Sequence, residues 1–191
     1  NKRDLWTNSV EVAIDGRVSL VSLLPKRGST RGGTDIIVEG ENFPDSDVAR
    51  CKFGLNAIVP ALWLSTNSIK CTSPPRDMPG KTSVQFSSNG IDFSPQALVY
   101  TYDKEVVLKH LTPTRGPIVG GTVVTIYGEN FRLDSTLMCR FGVENARASY
   151  INSTTVRCTT PVSREKFGIV DVTVTNNLVD YSVTSLQFQY E

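Results

Sequence analysis

Apolar and polar residues alternate along this chain in short runs. Residues 82–88, TSVQFSS, and 170–176, VDVTVTN, put an apolar side chain at every second position, the period of a strand with one buried face. Residues 97–102, ALVYTY, and 186–190, LQFQY, repeat that pattern with aromatics. DIIVEG from Asp35 and VVTIYG from Val123 are rich in β-branched residues and stop at glycine. Nowhere does an apolar stripe at i, i+3, i+4, i+7 persist over three turns, so helix is not expected beyond a turn. Short strands punctuated by Gly, Pro, Asn and Asp predict an all-β chain of β-sandwiches.

The pattern is written twice. Pro25 meets Pro113, Gly32 meets Gly120, Cys51 meets Cys139 and Tyr102 meets Tyr190, each 88 positions apart (113 − 25). Cys71 meets Cys158 at 87, so one residue is lost between the cysteines. That period is too long for a solenoid unit and suits a small domain. The expected division is a first domain over 19–103 and a second over 104–191. Residues 1–18 would be a tail or the end of a preceding domain, since SVEVAIDG resembles the TSVQFSSNG stretch. Only Asp103, Lys104 and Glu105 separate the copies, so a semi-rigid rod is expected.

Composition narrows the possibilities. With 20 Lys+Arg against 19 Asp+Glu the net charge is +1, giving no field toward nucleic acid or anionic membrane. No apolar run is long enough to span a bilayer. Opening on Asn1 without a charged-then-apolar leader, the chain reads as a piece of something longer.

Cys51 and Cys71 fall in the first copy, Cys139 and Cys158 in the second, at separations of 20 (71 − 51) and 19 (158 − 139). An even count, one pair per copy, beside predicted strands, favours disulfides and an oxidising compartment. Zinc is the alternative, but there is no CxxC and His110 is the single histidine. Buried free thiols of a cytosolic domain are the other alternative. Asn152-Ser153-Thr154 is an N-glycosylation sequon, making Asn152 a candidate glycan site.

Each copy thus carries Pro, GGT, G-E-N-F, C-x-F-G, C-T-x-P and a terminal aromatic strand, in that order. This set resembles the IPT/TIG domain found in plexins and transcription factors, from about Leu20 to Tyr102 and from Leu108 to Tyr190. The resemblance implies an immunoglobulin-like sandwich and, in cell-surface members with cysteines at these places, one disulfide per domain. It also implies service as stalk, spacer or partner-binding module. The intracellular branch of the family lacks such a cysteine pair.

Residues that could carry chemistry are sparse. His110 is read as a strand-face histidine, and Glu41 and Glu129 lack a second carboxylate at a matching place. Asp45 and Asp47 suggest weak calcium binding, but the second copy offers only Asp134 there. RGGT lacks the lysine and following helix of a phosphate loop. Lys26, Arg27 and Arg31 cluster near the first GGT with only Arg115 as counterpart, which favours a solvated loop over a DNA reader. No catalytic group, cofactor or metal is expected.

The copies differ most between their cysteines. Aligning Ile58, Pro60 and Leu62 with Ala146, Ala148 and Tyr150 assigns that parity to the core. Val59, Ala61 and Trp63 then form an outward apolar stripe, a candidate protein-contact surface. The function expected is a non-catalytic extracellular module of a membrane-anchored cell-surface protein, binding protein partners or neighbouring domains and inserting no segment of its own into the bilayer. The alternatives are a DNA-binding or dimerising module of an intracellular regulator, or an accessory domain of a secreted carbohydrate-active protein.

Overall fold

A computed structural model describes residues 17–164 and 167–191. The reading of residues 1–18 as a tail or domain end therefore falls, up to residue 16, outside the described residues. The first domain contains β1 (Ser19–Leu24), β2 (Arg27–Ser29), β3 (Asp35–Glu41), β4 (Arg50–Phe53), β5 (Ala57–Ser65), β6 (Ser68–Thr72), β7 (Gly80–Ser87) and β8 (Leu98–Asp103). The second contains β9 (Val107–Thr112), β10 (Arg115–Gly116), β11 (Val123–Glu129), β12 (Met138–Phe141), β13 (Glu144–Asn152), β14 (Thr155–Thr159), β15 (Gly168–Thr175) and β16 (Leu186–Tyr190). The described residues contain no helix, and each domain is an immunoglobulin-like β-sandwich.

Strands run in the order β1-β3-β6-β5-β4-β7-β8-β2 in the first domain. The order closes into two layers because β5 serves both: Ala57 to Pro60 pair with β4, and Ala61 to Ser65 pair with β6. β13 does the same between β12 and β14. The single parallel contact of each domain is at its edge, β2 with β8 and β10 with β16.

The predicted strands are present because their alternation finds a core. β3 buries Ile36, Val38 and Gly40 and exposes Asp35, Glu39 and Glu41. The first core gathers Leu20, Ile36, Val38, Phe43, Ile69, Phe86 and Tyr100; the second gathers Leu108, Val124, Ile126, Phe131, Val156, Val174 and Phe188. Each such side chain contributes roughly 1.5–3 kcal/mol when fully buried. Cys51–Cys71 and Cys139–Cys158 are disulfide-bonded, with Cα atoms 6.3 and 6.4 Å apart, and each cystine joins the two layers.

The repeated GGT and G-E-N-F phrases are scaffold. Gly32 and Gly120 have φ of 72° and 75°, and a Cβ there would lie 2.7 Å from the Ser73 carbonyl oxygen and 2.6 Å from that of Thr160. Asn42 and Asn130 turn the chain with φ of 61° and 65°, after which Phe43 and Phe131 return to the core. The terminal aromatic strands tie back: the Tyr102 hydroxyl donates to the Pro74 carbonyl at 2.8 Å, and that of Tyr190 to Pro161 at 3.0 Å.

One expectation about β5 is overturned. Cys51 pairs with Val59 and Cys139 with Ala146, so Val59 corresponds to Ala146, 87 positions on. The missing residue lies in the turn before β5 and β13, ahead of the strand and not within it. Ala57, Val59, Ala61 and Trp63 therefore pack on the core, as Ala146, Ala148 and Tyr150 do. The outward residues are Ile58, Pro60, Leu62 and Leu64, with Ile58 50% and Leu62 56% exposed.

Candidate functional site

The densest polar chemistry lies where the two domains meet. Asp103 closes β8 and is almost fully buried between two arginines. Arg27 of the first domain meets it at 2.5 Å, and Arg132 of the second at 3.2 Å. Arg31 meets Glu105 at 3.1 Å, and the Asn130 amide donates to the Glu105 carbonyl at 2.6 Å. Both acidic residues of the three-residue linker are thus held. The linker is anchored to both domains through Asp103 and Glu105.

A loop after β15 completes the junction. Asn177 Oδ1 accepts the N–H groups of Val179 (3.0 Å) and Asp180 (2.8 Å) and the Thr175 hydroxyl, which folds residues 177–180 into a tight turn. Leu178 takes φ 67° at its apex. The turn presents two groups to the first domain. Asp180 Oδ2 accepts the Thr34 hydroxyl at 2.7 Å and the Ser29 N–H at 3.2 Å, while Asn177 Nδ2 donates to the Arg27 carbonyl at 2.9 Å. Approach this close requires Gly28: a Cβ there would collide with the Tyr100 and Thr34 oxygens and stand 2.9 Å from Asp180 Oδ2. A cavity of about 350 Å³ remains beside the contact, lined by Gly28, Arg31, Asp103, Glu105, Asn177 and Asp180 among others.

Electrostatics reinforce the geometry. Burial works against the charge of Asp134, but hydrogen bonds from the Thr136 N–H and hydroxyl, with Arg27 4.0 Å away, outweigh it and hold the carboxyl below its ordinary range. Burial raises the phenols of Tyr100 and Tyr102 above theirs. Partly buried, charge-assisted contacts of this kind are individually stronger than exposed ion pairs.

The residues singled out from sequence are dispersed. Arg27 and Arg31, read as a solvated basic loop, are engaged with Asp103 and Glu105, and Arg115 with Glu191 at 3.4 Å. Asp134 stabilises its own turn and faces Arg27. His110 is an exposed residue of β9, its ring stacked on Tyr127 at 4.3 Å, and Glu129 pairs with Lys109 at 2.6 Å. Among the described residues no cluster of His, Cys, Asp or Glu could hold a metal. Val59, Ala61 and Trp63 line a groove of about 630 Å³ with Asp45, Asp47, Pro74 and Pro75, and Trp63 donates its indole N–H to the Phe43 carbonyl at 3.0 Å. Asn152 caps the β13–β14 turn, its Oδ1 accepting the Thr154 N–H and hydroxyl at 2.9 and 2.8 Å. The roles of Asp180 and Asn177 gave no signal in the sequence, since their partners lie about 150 residues away.

The chain is similar to mouse fibrocystin-L, 27% identical over 157 residues, which covers 79% of this chain and 4% of that protein. It is similar also to mouse plexin-A4, 25% identical over 169 residues, covering 82% of this chain and 8% of that one. A solved structure of the full plexin A4 extracellular region superposes on all of this chain with a TM-score of 0.60 at 23% identity, using 17% of that structure. The chain thus spans a small fraction of the relatives it matches. Two cystines and these likenesses point to an extracellular, cell-surface location. The IPT/TIG domain model matches twice, over residues 19–102 and 107–190, so the chain belongs to the IPT/TIG domain family.

Proposed function

We propose that this chain is a non-catalytic segment of a larger cell-surface protein, a semi-rigid spacer that fixes the relative orientation of two sandwiches and presents their loops and faces to protein partners. The observation that supports it is the Asp180 clasp, which with the pinned linker opposes bending at the junction. The units are taken as 19–103 and 104–191. A DNA-binding role is disfavoured because Arg27 and Arg31 are committed to carboxylates.

Spin labels placed on β7 and β15 test the reading by pulsed distance measurement. A narrow distribution is expected, broadening when Asp180→Ala and Arg132→Ala are combined. A broad distribution in the unmutated chain would falsify it. Asn152 is proposed to carry an N-glycan, since the residue is exposed and the Thr154 hydroxyl bonds its Oδ1. Chain secreted from mammalian cells should lose mass on treatment with peptide-N-glycosidase, and Asn152→Gln should lack that shift.

A further inference from the structure

Three arginines line up at one corner of the second sandwich. β13 passes between the layers there, pairing with β12 up to Arg147 and with β14 from Ala148. Arg140 stands opposite Asn145 and Arg157 opposite Ser149, so each is a diagonal neighbour of Arg147. Such neighbours lie about 7–8 Å apart, so Arg140, Arg147 and Arg157 form one row of roughly 15 Å over the corner. Arg147 and Arg157 are exposed, and Arg140 is half-buried with its guanidinium 3.8 Å from the centre of the Tyr181 ring. Among the described residues none of the three forms an ion pair. Asp171 of the neighbouring β15 is diagonal to Arg140, past the end of the row.

The first domain offsets charge at the same corner. Lys52, Pro60 and Lys70 occupy the three places, Lys70 meets Asp35 at 3.1 Å, and the nearby Arg50 turns back onto the Ala49 carbonyl at 2.8 Å. In the second domain Val123 takes the place of Asp35, facing Thr159 on β14 as Asp35 faces Thr72 on β6. Arginines thus stand for both lysines and for the proline, and the balancing acid is a valine. The row lies within strands on the flank of the sandwich, not at the strand ends where the chain enters near Val106 and leaves near Glu191. It also belongs to the domain that residues 1–16 do not lead into.

We propose that this row binds a sulfated polysaccharide. Planar guanidinium groups offer paired N–H donors that suit oxyanions, and three at this spacing follow a linear chain of repeated anionic groups. The exposed hydroxyls of Ser149 and Thr159 beside the row can bond to sugar hydroxyls. Single-stranded nucleic acid is gripped by aromatics on which its bases stack, and the aromatic at this row, Tyr181, is covered by Arg140. The net charge of +1 does not oppose the contact, because salt screens charges more than about 10 Å away. Outside the cell, where the cystines and the likenesses point, sulfated glycans supply such a polyanion. This role goes beyond that of a spacer and does not depend on the stiffness of the junction.

Chromatography of the full chain on immobilised heparin tests this. The chain should be retained at about 0.15 M salt and should pass unretarded over an unsulfated polysaccharide of the same backbone. Arg147→Ser combined with Arg157→Ser should elute earlier, and the slope of log affinity against log salt should fall by about one per arginine removed. Val123→Asp keeps every arginine and restores the acid of the first domain, so it should elute earlier too. All three positions are exposed, and an unchanged thermal midpoint will certify that the variants are folded. Passage of the unmutated chain at that salt, retention that ignores these substitutions, or equal retention by the unsulfated polysaccharide would overturn the proposal. Single-stranded DNA or phosphatidylserine vesicles bound as tightly as heparin would overturn it in favour of an unselective anion site. The spin-label distances do not enter, so this outcome and that of the spacer reading are independent.

Discussion

Gly32 and Gly33 are adjacent, both with positive φ, yet they answer to different constraints. A Cβ on Gly32 would press on the backbone of Ser73, Pro74 and Pro75, while one on Gly33 would meet nothing within 4 Å. Gly33→Ala should therefore cost only the left-handed strain, roughly 1–2 kcal/mol. Gly32→Ala should cost at least about 1 kcal/mol more, because the neighbouring backbone must shift. Urea titration of the two variants measures the difference. At this scale the sequence was informative: a glycine pair before a strand, an asparagine in a turn and a phenylalanine after it each carry a local conformational meaning. Asn42, Asn130, Phe43 and Phe131 adopt the geometry their types suggest.

The strands themselves were legible for the same reason, since alternation is a local property. What failed was the phase of β5. Its apolar residues occupy both parities, so no contrast marks the inward face, and a one-residue slip reverses every side chain. The slip entered at the turn, where Leu55 and Asn56 of the first copy face only Val143 of the second. Val59→Ser is expected to cost about 2–3 kcal/mol through loss of core contact, while Leu62→Ser, on the outward face, should change stability by less than about 0.5 kcal/mol. Thermal melts that ranked these two in the opposite order would restore the original assignment. Each cystine joins β strands of opposite layers within its own domain. Replacing Cys139 and Cys158 with serine should cost the second domain roughly 3 kcal/mol by the chain-entropy argument, visible as a separate early transition.

For the whole molecule, the junction decides behaviour, and it was the least legible feature. Arg27 and Asp103 are 76 positions apart, and Asn177 and Arg27 are 150, distances over which composition and periodicity say nothing. Acid should loosen this junction. The Asp134 carboxyl is held below its ordinary value when folded, so its contribution is complete above the unfolded pKa of about 4 and is lost as pH falls through the lower folded value. The interdomain distance should broaden below about pH 4, and Asp134→Asn should blunt the pH dependence. The parallel edge pairings matter in another respect. Because β2 runs parallel to β8, and β10 to β16, tension along the chain pulls each pair past one another and loads their hydrogen bonds side by side in shear rather than one at a time. The β2–β8 ladder spans three residue pairs against two for β10–β16, so under a stretching force the second domain should yield first. The cystines then set how far it can extend. The segments between Cys51 and Cys71 and between Cys139 and Cys158 stay looped, and a pulled molecule lengthens around them without drawing them out.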